Sequence, residues 1–247
     1  MTGNVPIFEI EGLRKDHQAL RPLRITKLAV RRGDHLAIHG LDARAAEAFS
    51  LLVTGAMLPD EGDIRVAGRS TRDIGTDTEW LASLDRFGMV TDRAVLIDGL
   101  SLAANLALPL TLAIDPMSAV TRAQVTTLAR DVGLDVQRLD VLVSAITPAE
   151  RLRLHVARAL ALGPDVLLLE HPTAKLEAAD AAEFGRTLKS MVTARGLAFV
   201  ALTEDDGFAR ASGARRLRLA PATGALSESG DFASRFLSVI GRRSSRS

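Results

Sequence analysis

Two of the residues that could take part in chemistry stand directly after apolar runs of the sequence. Gly40 ends the run His35–His39, where it permits a tight turn, and Glu170 ends the uninterrupted apolar run Val166–Leu169. A glutamate can bind a hard cation such as Mg²⁺, and His171, which follows it, can act as a base near neutral pH. Residue type alone assigns none of these positions a role.

The residue types that are rare or absent exclude several kinds of chemistry. The chain has no cysteine, which excludes disulfides, thiolate metal sites and cysteine nucleophiles and is compatible with a reducing cytosol. Nearly all of the 31 basic residues are arginines, because the only lysines are Lys15, Lys27, Lys175 and Lys189. No lysine is therefore available between residues 27 and 175.

Length and composition indicate an ordinary globular protein. The 247 residues suffice for one large domain or for a domain with an embedded subdomain. Hydrophobic residues make up 47% and charged residues 25% of the chain, which excludes a disordered chain or a coiled coil. The net charge of +1 provides no overall field for a nucleic acid or an anionic membrane surface. We therefore expect no nucleic-acid partner.

The sequence shows no segment expected to enter or cross a membrane. The first ten residues lack the basic segment and the apolar run of a signal peptide, so we expect the chain to stay inside the cell. The most apolar stretch, Leu100–Ile114, is shorter than the roughly 20 residues of a membrane span and contains Asn105 and Pro109. We interpret it as part of the folded domain.

Hydrophobic periodicity predicts a mixed α/β order of elements. Two half-buried strands at residues 7–10 and 24–30 suggest an antiparallel edge, and a strand at 35–39, the turn at Gly40 and a helix at 43–53 follow. Further apolar runs predict strands at 63–67, 86–90, 166–169, 197–202 and 215–219, and a helix at 178–194.

Between residues 101 and 162 the apolar residues recur at helical spacing, which predicts an inserted helical subdomain. One helix has a clear start. Thr147 is an N-cap before Pro148, and Glu150 completes a capping box three residues after the threonine.

The order of these elements resembles that of an ABC-transporter ATPase subunit, and the resemblance spans nearly the whole chain. The best-matching stretches are Gly55–Gly68 (GAMLPDEGDIRVAG), Asn105–Leu110 (NLALPL) and Ala157–Thr173 (ARALALGPDVLLLEHPT). The resemblance implies an α/β, P-loop NTPase-like (ABC ATPase) core with an antiparallel β edge and an inserted α-helical subdomain.

The same resemblance implies one cassette domain followed by a tail. The expected bounds are 1–230 for the cassette, 5–91 and 163–230 for its core, 92–162 for its helical subdomain, and 231–247 for the C-terminal tail.

The family's phosphate-binding loop, G-x-x-x-x-G-K-[ST], falls on the segment GLDARAAE, of which only Gly40 is kept as a cofactor-binding candidate. Ala45 stands for the second glycine, Ala46 for the lysine and Glu47 for the hydroxyl residue. The alanine at the second glycine restricts the backbone. The loss of the lysine removes a positive charge, and Glu47 adds a negative charge that repels phosphate. We therefore expect little or no ATP binding. The alternative is that Arg44 turns inward as the cation instead of lying solvated on the first helical turn.

The resemblance assigns roles to four other positions. Glu170 is the expected metal ligand, His171 stands at the catalytic glutamate, Glu204 at the switch histidine and Asp92 at a glutamine. His171 is either the group that activates water or a residue without a catalytic role, because a base needs a γ-phosphate to attack. We favour the second interpretation and predict no catalytic residue.

Two other nucleotide contacts of the family are also altered. The signature L-S-G-G-Q falls on residues 146–150 (ITPAE), where Pro148 has no N–H to offer a phosphate. Thr147 is therefore expected to have a structural role. The aromatic residue that stacks on adenine has no tyrosine to supply it, and His17, the nearest candidate, is expected to be a surface loop residue.

Three functions fit these motifs. The favoured one is a degenerate subunit, a pseudo-ATPase that docks on a membrane permease through Asp92–Leu110 and its apolar segment Val95–Ile97. No cofactor is expected in that case. The first alternative is an active ATPase that uses ATP and Mg²⁺ with Gly40, Arg44, Glu170 and His171, and the second is a soluble scaffold or regulator.

The resemblance also implies where the subunit acts. A dimer, with itself or with another cassette subunit, and a peripheral position on the cytoplasmic, inner face of the cell membrane are expected. The LPL form of the helical subdomain is similar to cassettes that work on lipids or lipoproteins.

Overall fold

A computed structural model describes residues 5–228 of the chain. The strands are β1 (Phe8–Lys15), β2 (Leu23–Val30), β3 (His35–His39), β4 (Glu61–Val66), β5 (Arg69–Ser70), β6 (Phe87–Val90), β7 (Val166–Glu170), β8 (Ala198–Leu202), β9 (Arg215–Ala220) and β10 (Ala225–Glu228). The helices are α1 (Ala43–Val53), α2 (Asp77–Leu84), α3 (Leu102–Ala107), α4 (Ala119–Asp131), α5 (Pro148–Leu160), α6 (Ala178–Arg195) and α7 (Asp206–Ala211).

The larger sheet has six strands in the order β10-β9-β3-β8-β7-β6. Its five strands from β9 to β6 are parallel, and β10 pairs antiparallel with β9 at one edge. The central strands β7 and β8 are apolar and buried, except for the partly buried Glu170 at the end of β7, as expected of strands covered on both faces. This sheet fixes where the chain segments after β3, β6, β7 and β8 emerge.

The smaller sheet is antiparallel, with the order β2-β1-β4-β5. Its apolar face packs with α1 against one side of the larger sheet in a shared hydrophobic core that includes Phe8, Phe49 and Leu168. The predicted antiparallel edge is therefore confirmed, although β1 continues to Lys15, beyond the predicted end at residue 10.

The helices α3, α4 and α5 form the helical subdomain in the chain between β6 and β7. Their apolar residues, among them Leu106, Val125 and Leu154, are fully buried in a second core, to which Leu167 and Phe199 of the larger sheet also contribute. The α/β fold class with an inserted helical subdomain is confirmed.

Four elements have no counterpart in the periodicity of the sequence. The helix α2 buries none of its residues, α7 has six residues, β5 has two and β10 has four. The cassette bounds at 1–230 stay a prediction, and the predicted tail at 231–247 lies outside the described residues. Over residues 5–228, no helix is long and apolar enough to cross a membrane.

Candidate functional site

Four loops meet at one edge of the larger sheet. Gly40 follows β3, Glu204 lies two residues after β8, Glu170 ends β7 and Arg93 follows β6. These strands are neighbours and parallel, so their carboxyl ends lie side by side, where open α/β sheets usually bind ligands. The fold therefore brings together the predicted residues Gly40 and Glu170, which are far apart in the sequence.

Gly40 is held in a backbone conformation that requires glycine. Its φ is +96°, and a Cβ atom at this position would lie 2.9 Å from the carbonyl oxygen of Leu219. Its N–H donates to Oε1 of Glu204 at 2.5 Å. The amide at the start of the expected phosphate loop therefore donates to a carboxylate of the chain itself.

The amino end of α1 is also capped by a carboxylate. Oδ1 of Asp42 accepts a hydrogen bond from the N–H of Ala45 at 2.8 Å, as expected of an N-cap aspartate. Ala46, at the position of the family's lysine, is fully buried. A negative side chain thus lies where the helix end would otherwise attract an external anion.

Glu170 forms an ion pair with Arg93. Nη2 of Arg93 donates to Oε1 of Glu170 at 2.8 Å, and Nε of Arg93 lies 3.4 Å from Oε1 of Glu47 on α1. The side chain of Glu170 is only 7% exposed. Burial acts to lower the pKa of Arg93, but the hydrogen bond to Glu170 and the charges of Glu170 and Glu47 outweigh it, and the pKa is raised.

His171 has a strained backbone and lies in a small cavity. Its φ is +43°, which is uncommon for a residue other than glycine, and its N–H donates to the carbonyl oxygen of Leu202 at 2.8 Å. Its buried Nε2 has no hydrogen-bond partner among the described residues. The cavity, about 80 Å³, is also lined by Asp92 and His155.

His155, on α5, is a titratable group that the sequence patterns did not single out. Burial lowers its pKa to about 4, and the nearby charges of Arg158 and Arg151 act in the same direction. It is therefore neutral at physiological pH. Asp92, across the cavity, pairs with Lys175 at 2.8 Å in an exposed salt bridge.

A larger cavity, about 520 Å³, lies between α1 and the loop that joins β1 to β2. Both Arg44 and His17 line it, together with Gly40. Arg44 is exposed, and its Nη1 donates to the carbonyl oxygen of Gln18 at 3.5 Å. His17 lies in the loop between β1 and β2 as expected, but it is half-buried and not fully exposed.

The start of α5 agrees with the sequence. Oγ1 of Thr147 accepts from the N–H of Glu150 at 3.2 Å, and Oε2 of Glu150 accepts from the N–H of Thr147 at 2.9 Å. Pro148 is the first helical residue. The predicted capping box is confirmed.

The apolar segment Val95–Ile97 divides between surface and core. Val95 is 73% exposed and Ile97 is 46% exposed, whereas Leu96 is 7% exposed and belongs to the core of the helical subdomain. The expectation of a surface contact is therefore wrong for Leu96, because alternate side chains of the segment point in opposite directions. The fully buried Asn105 fixes the segment through hydrogen bonds with both the N–H and the carbonyl oxygen of Ile97.

The arrangement does not fit magnesium and a nucleoside triphosphate. Phosphate oxygens need converging N–H donors and a lysine, but the amides of Gly40 and Ala45 donate to the carboxylates of Glu204 and Asp42. A divalent cation needs free oxygen ligands, and Glu170 is paired with a guanidinium.

The parallel sheet, the antiparallel sheet and the inserted helices define a nucleotide-binding cassette of the P-loop NTPase type. Residues 23–174, more than half of the chain, match the family described as ABC transporter. The chain therefore belongs to the ABC transporter family and has the fold of its nucleotide-binding domains.

Two curated relatives differ in how much of their own length this chain covers. The macrolide export ATP-binding/permease protein MacB 1 of Aeromonas hydrophila is 29% identical over 182 residues, which cover 72% of this chain and 28% of that protein. The lipoprotein-releasing system ATP-binding protein LolD of Chromohalobacter salexigens is 28% identical over 214 residues, which cover 83% of this chain and 88% of that protein. This chain thus spans less than a third of the MacB protein but most of the LolD protein.

A solved structure shows the same fold. The dimeric structure of MJ0796, described as a bacterial ABC transporter cassette, has a TM-score of 0.71 with this chain at 20% identity. The match covers 89% of this chain and 96% of that one. The likeness concerns the fold alone.

Proposed function

We propose that this chain is a degenerate cassette subunit that docks on a membrane permease and has little or no ATP binding or hydrolysis of its own. It is then a pseudo-ATPase without a catalytic residue, and it lies peripherally on the cytoplasmic face of the cell membrane because its permease is there. As part of a transport complex it forms a dimer with itself or with another cassette subunit.

One observation carries the proposal: carboxylates of the chain accept the hydrogen bonds that a phosphate would need. The carboxylate of Glu204 accepts from the N–H of Gly40, and the carboxylate of Asp42 accepts from the N–H of Ala45. A triphosphate would have to displace them against like charge, and Ala46 offers no cation to compensate. The hydrogen bonds of these two carboxylates with the loop amides are therefore sufficient to explain weak or absent binding of ATP.

The docking surface is the exposed part of residues 92–110. Val95 and Ile97 present apolar side chains to solvent on a segment held by Asn105 and by Arg158, whose Nη1 donates to the carbonyl oxygen of Val95 at 2.6 Å. Apolar side chains exposed on a segment that hydrogen bonds hold in place suit a protein partner. LolD, named for lipoprotein release, and the LPL form of this region support a lipid-related cargo.

The alternative, an active ATPase, draws support from the cavity beside Arg44 and His17. That cavity has a volume of about 520 Å³, and Arg44, which lies within the loop segment GLDARAAE, is one of the cations that line it. In this alternative Gly40 would contact phosphate and Glu170 would hold Mg²⁺, after Glu204 and Arg93 had moved away.

Neighbouring genes supply candidate permeases, and co-purification with each candidate, in EDTA and without nucleotide, tests the docking part of the proposal. We expect wild-type protein to remain bound, and we expect Val95→Glu to abolish binding with a melting temperature close to wild type, because Val95 is already solvated. Leu81→Glu is the matched control, since Leu81 is 53% exposed but lies on α2, outside the docking segment.

Leu96→Glu should behave differently from Val95→Glu. It buries an unpaired carboxylate and should lower the melting temperature visibly. Retention of the permease by Val95→Glu, or equal loss with Leu81→Glu, would remove the docking surface from the proposal.

A further inference from the structure

Arg93 connects three parts of the molecule. It is the third residue after β6, in the loop that leads into the helical subdomain, and its guanidinium reaches Glu170 at the end of β7 and Glu47 on α1. In the family pattern, Glu47 stands at the hydroxyl residue that holds magnesium and Glu170 at the metal-binding acid. The guanidinium therefore lies between the two positions that would share a divalent cation.

The burial of Glu170 makes a nearby cation necessary. A carboxylate that is 7% exposed is costly unless it is paired. Among residues 5–228, Arg93 is the one basic side chain that forms a salt bridge with either Glu47 or Glu170. Because an arginine cannot lose its proton in proteins, the guanidinium of Arg93 keeps its positive charge beside these two carboxylates.

We propose that Arg93 replaces the divalent cation of the family with a charge built into the chain. It is a positioning residue: it neutralises Glu47 and Glu170 and ties the loop after β6 to the core in the absence of nucleotide. The inference rests on the proposed function, because a working ATPase would need Mg²⁺ at Glu170.

The same loop is attached to the helical subdomain at its other end. Arg158 of α5 donates to the carbonyl oxygen of Val95, and Arg151 of α5 pairs with Asp98 at 3.0 Å. Together with Arg93, these bonds join α1, β7 and α5 through one loop. The position of Val95 and Ile97 is therefore set without a nucleotide.

Removal of the guanidinium tests the replacement. Arg93→Gln leaves Glu47, Glu170 and the new amide as oxygen ligands, the kind that hard divalent cations prefer. Mn²⁺ alone, without nucleotide, is titrated and free Mn²⁺ is followed by electron paramagnetic resonance. We expect no detectable uptake of Mn²⁺ at this site by wild-type protein, and one ion bound by Arg93→Gln with a dissociation constant at least about tenfold below the highest Mn²⁺ concentration titrated.

Two control variants separate Mn²⁺ binding at Glu47 and Glu170 from a general structural effect of losing an arginine. Arg86→Gln removes a guanidinium that pairs with Asp165 and should leave Mn²⁺ uptake as in wild type. Adding Glu170→Gln to Arg93→Gln should abolish the uptake. If Arg93→Gln folds only when Mn²⁺ is present, this supports the proposal that the guanidinium takes the place of a divalent cation. If Arg93→Gln does not fold at all, the test passes to Arg93→Lys, which keeps the charge. The proposal then requires that Arg93→Lys folds and excludes Mn²⁺.

Wild-type uptake of Mn²⁺ that Glu170→Gln abolishes would overturn the inference, as would an Arg93→Gln protein that folds but binds no Mn²⁺. Uptake of Mn²⁺ by Arg93→Lys equal to that of Arg93→Gln would overturn it too. Because no nucleotide is present, each of these results is independent of a Mg-ATP titration, which tests the proposed function itself.

Discussion

Thr147, at the expected position of the nucleotide signature, caps the start of α5. Its hydroxyl and the carboxylate of Glu150 satisfy each other's backbone N–H groups at the start of α5, and Pro148 leaves no N–H at the next residue. Oε1 of Glu150 is also paired with Arg138. These contacts occupy the groups at this helix end with the chain's own partners.

Thr147→Ala should lower the free energy of unfolding by about 0.5–2 kcal/mol through the lost cap. Thr147→Ser keeps the hydroxyl and should stay near wild type, and chemical denaturation of the three proteins measures the difference. Unchanged stability of Thr147→Ala, together with loss of an ATP-dependent behaviour of the transport complex, would instead mean that the signature still contacts phosphate.

Single residues of the site were predicted to different degrees. Gly40, Glu170 and Glu204 were assigned through the family resemblance, and the fold places all three at one edge because each ends or follows a strand of the parallel part of the sheet. Arg93 could not be found, because its partner Glu170 is 77 residues away and no local pattern encodes such a pair. The one available hint was that acidic residues, Glu47 and Glu170, stand at both expected metal-binding positions, which calls for a cation from elsewhere in the chain.

At the scale of elements, α5 carries the cap at its start and the buried imidazole of His155. Burial and two nearby arginines on the same helix lower the pKa of His155 to about 4 from 6.5. The folded protein then binds fewer protons than the unfolded chain between these two values. Stability is therefore lost as the pH falls from about 6.5 towards about 4.

His155→Gln should reduce this loss, because glutamine does not titrate. We expect the melting temperature of wild-type protein to fall more than that of His155→Gln between pH 7 and pH 5. Thermal unfolding in matched buffers measures it, and the imidazole resonance of His155 reports its titration directly. Equal pH slopes for the two proteins, or a His155 that titrates near 6.5 in the folded state, would contradict the assignment.

Elements with a strong apolar pattern could be predicted from the sequence. The helix α1 has the predicted bounds, and β7 and β8 were evident as uninterrupted apolar runs. The helix α2 was missed because it buries no residue, so no apolar stripe marks it. The short β5, α7 and β10 depend on neighbours that only the folded chain supplies.

At the scale of the whole molecule, the fold of a nucleotide-binding cassette is combined with a site whose charges pair with one another. Glu204 and Asp42 accept from the loop amides, and Arg93 pairs with Glu47 and Glu170. These contacts need no ligand to form. We therefore expect the cassette to keep its shape, and the proposed docking segment its position, without the nucleotide that its relatives are named for binding.

Calorimetric titration of the full chain with Mg-ATP tests this claim most directly, with an intact cassette run in parallel as the positive control. We predict no saturable heat for this chain, that is, a dissociation constant weaker than about 1 mM. Saturable binding with micromolar affinity would contradict the account. Loss of that binding in Arg44→Ala would then identify Arg44 as the phosphate-binding cation.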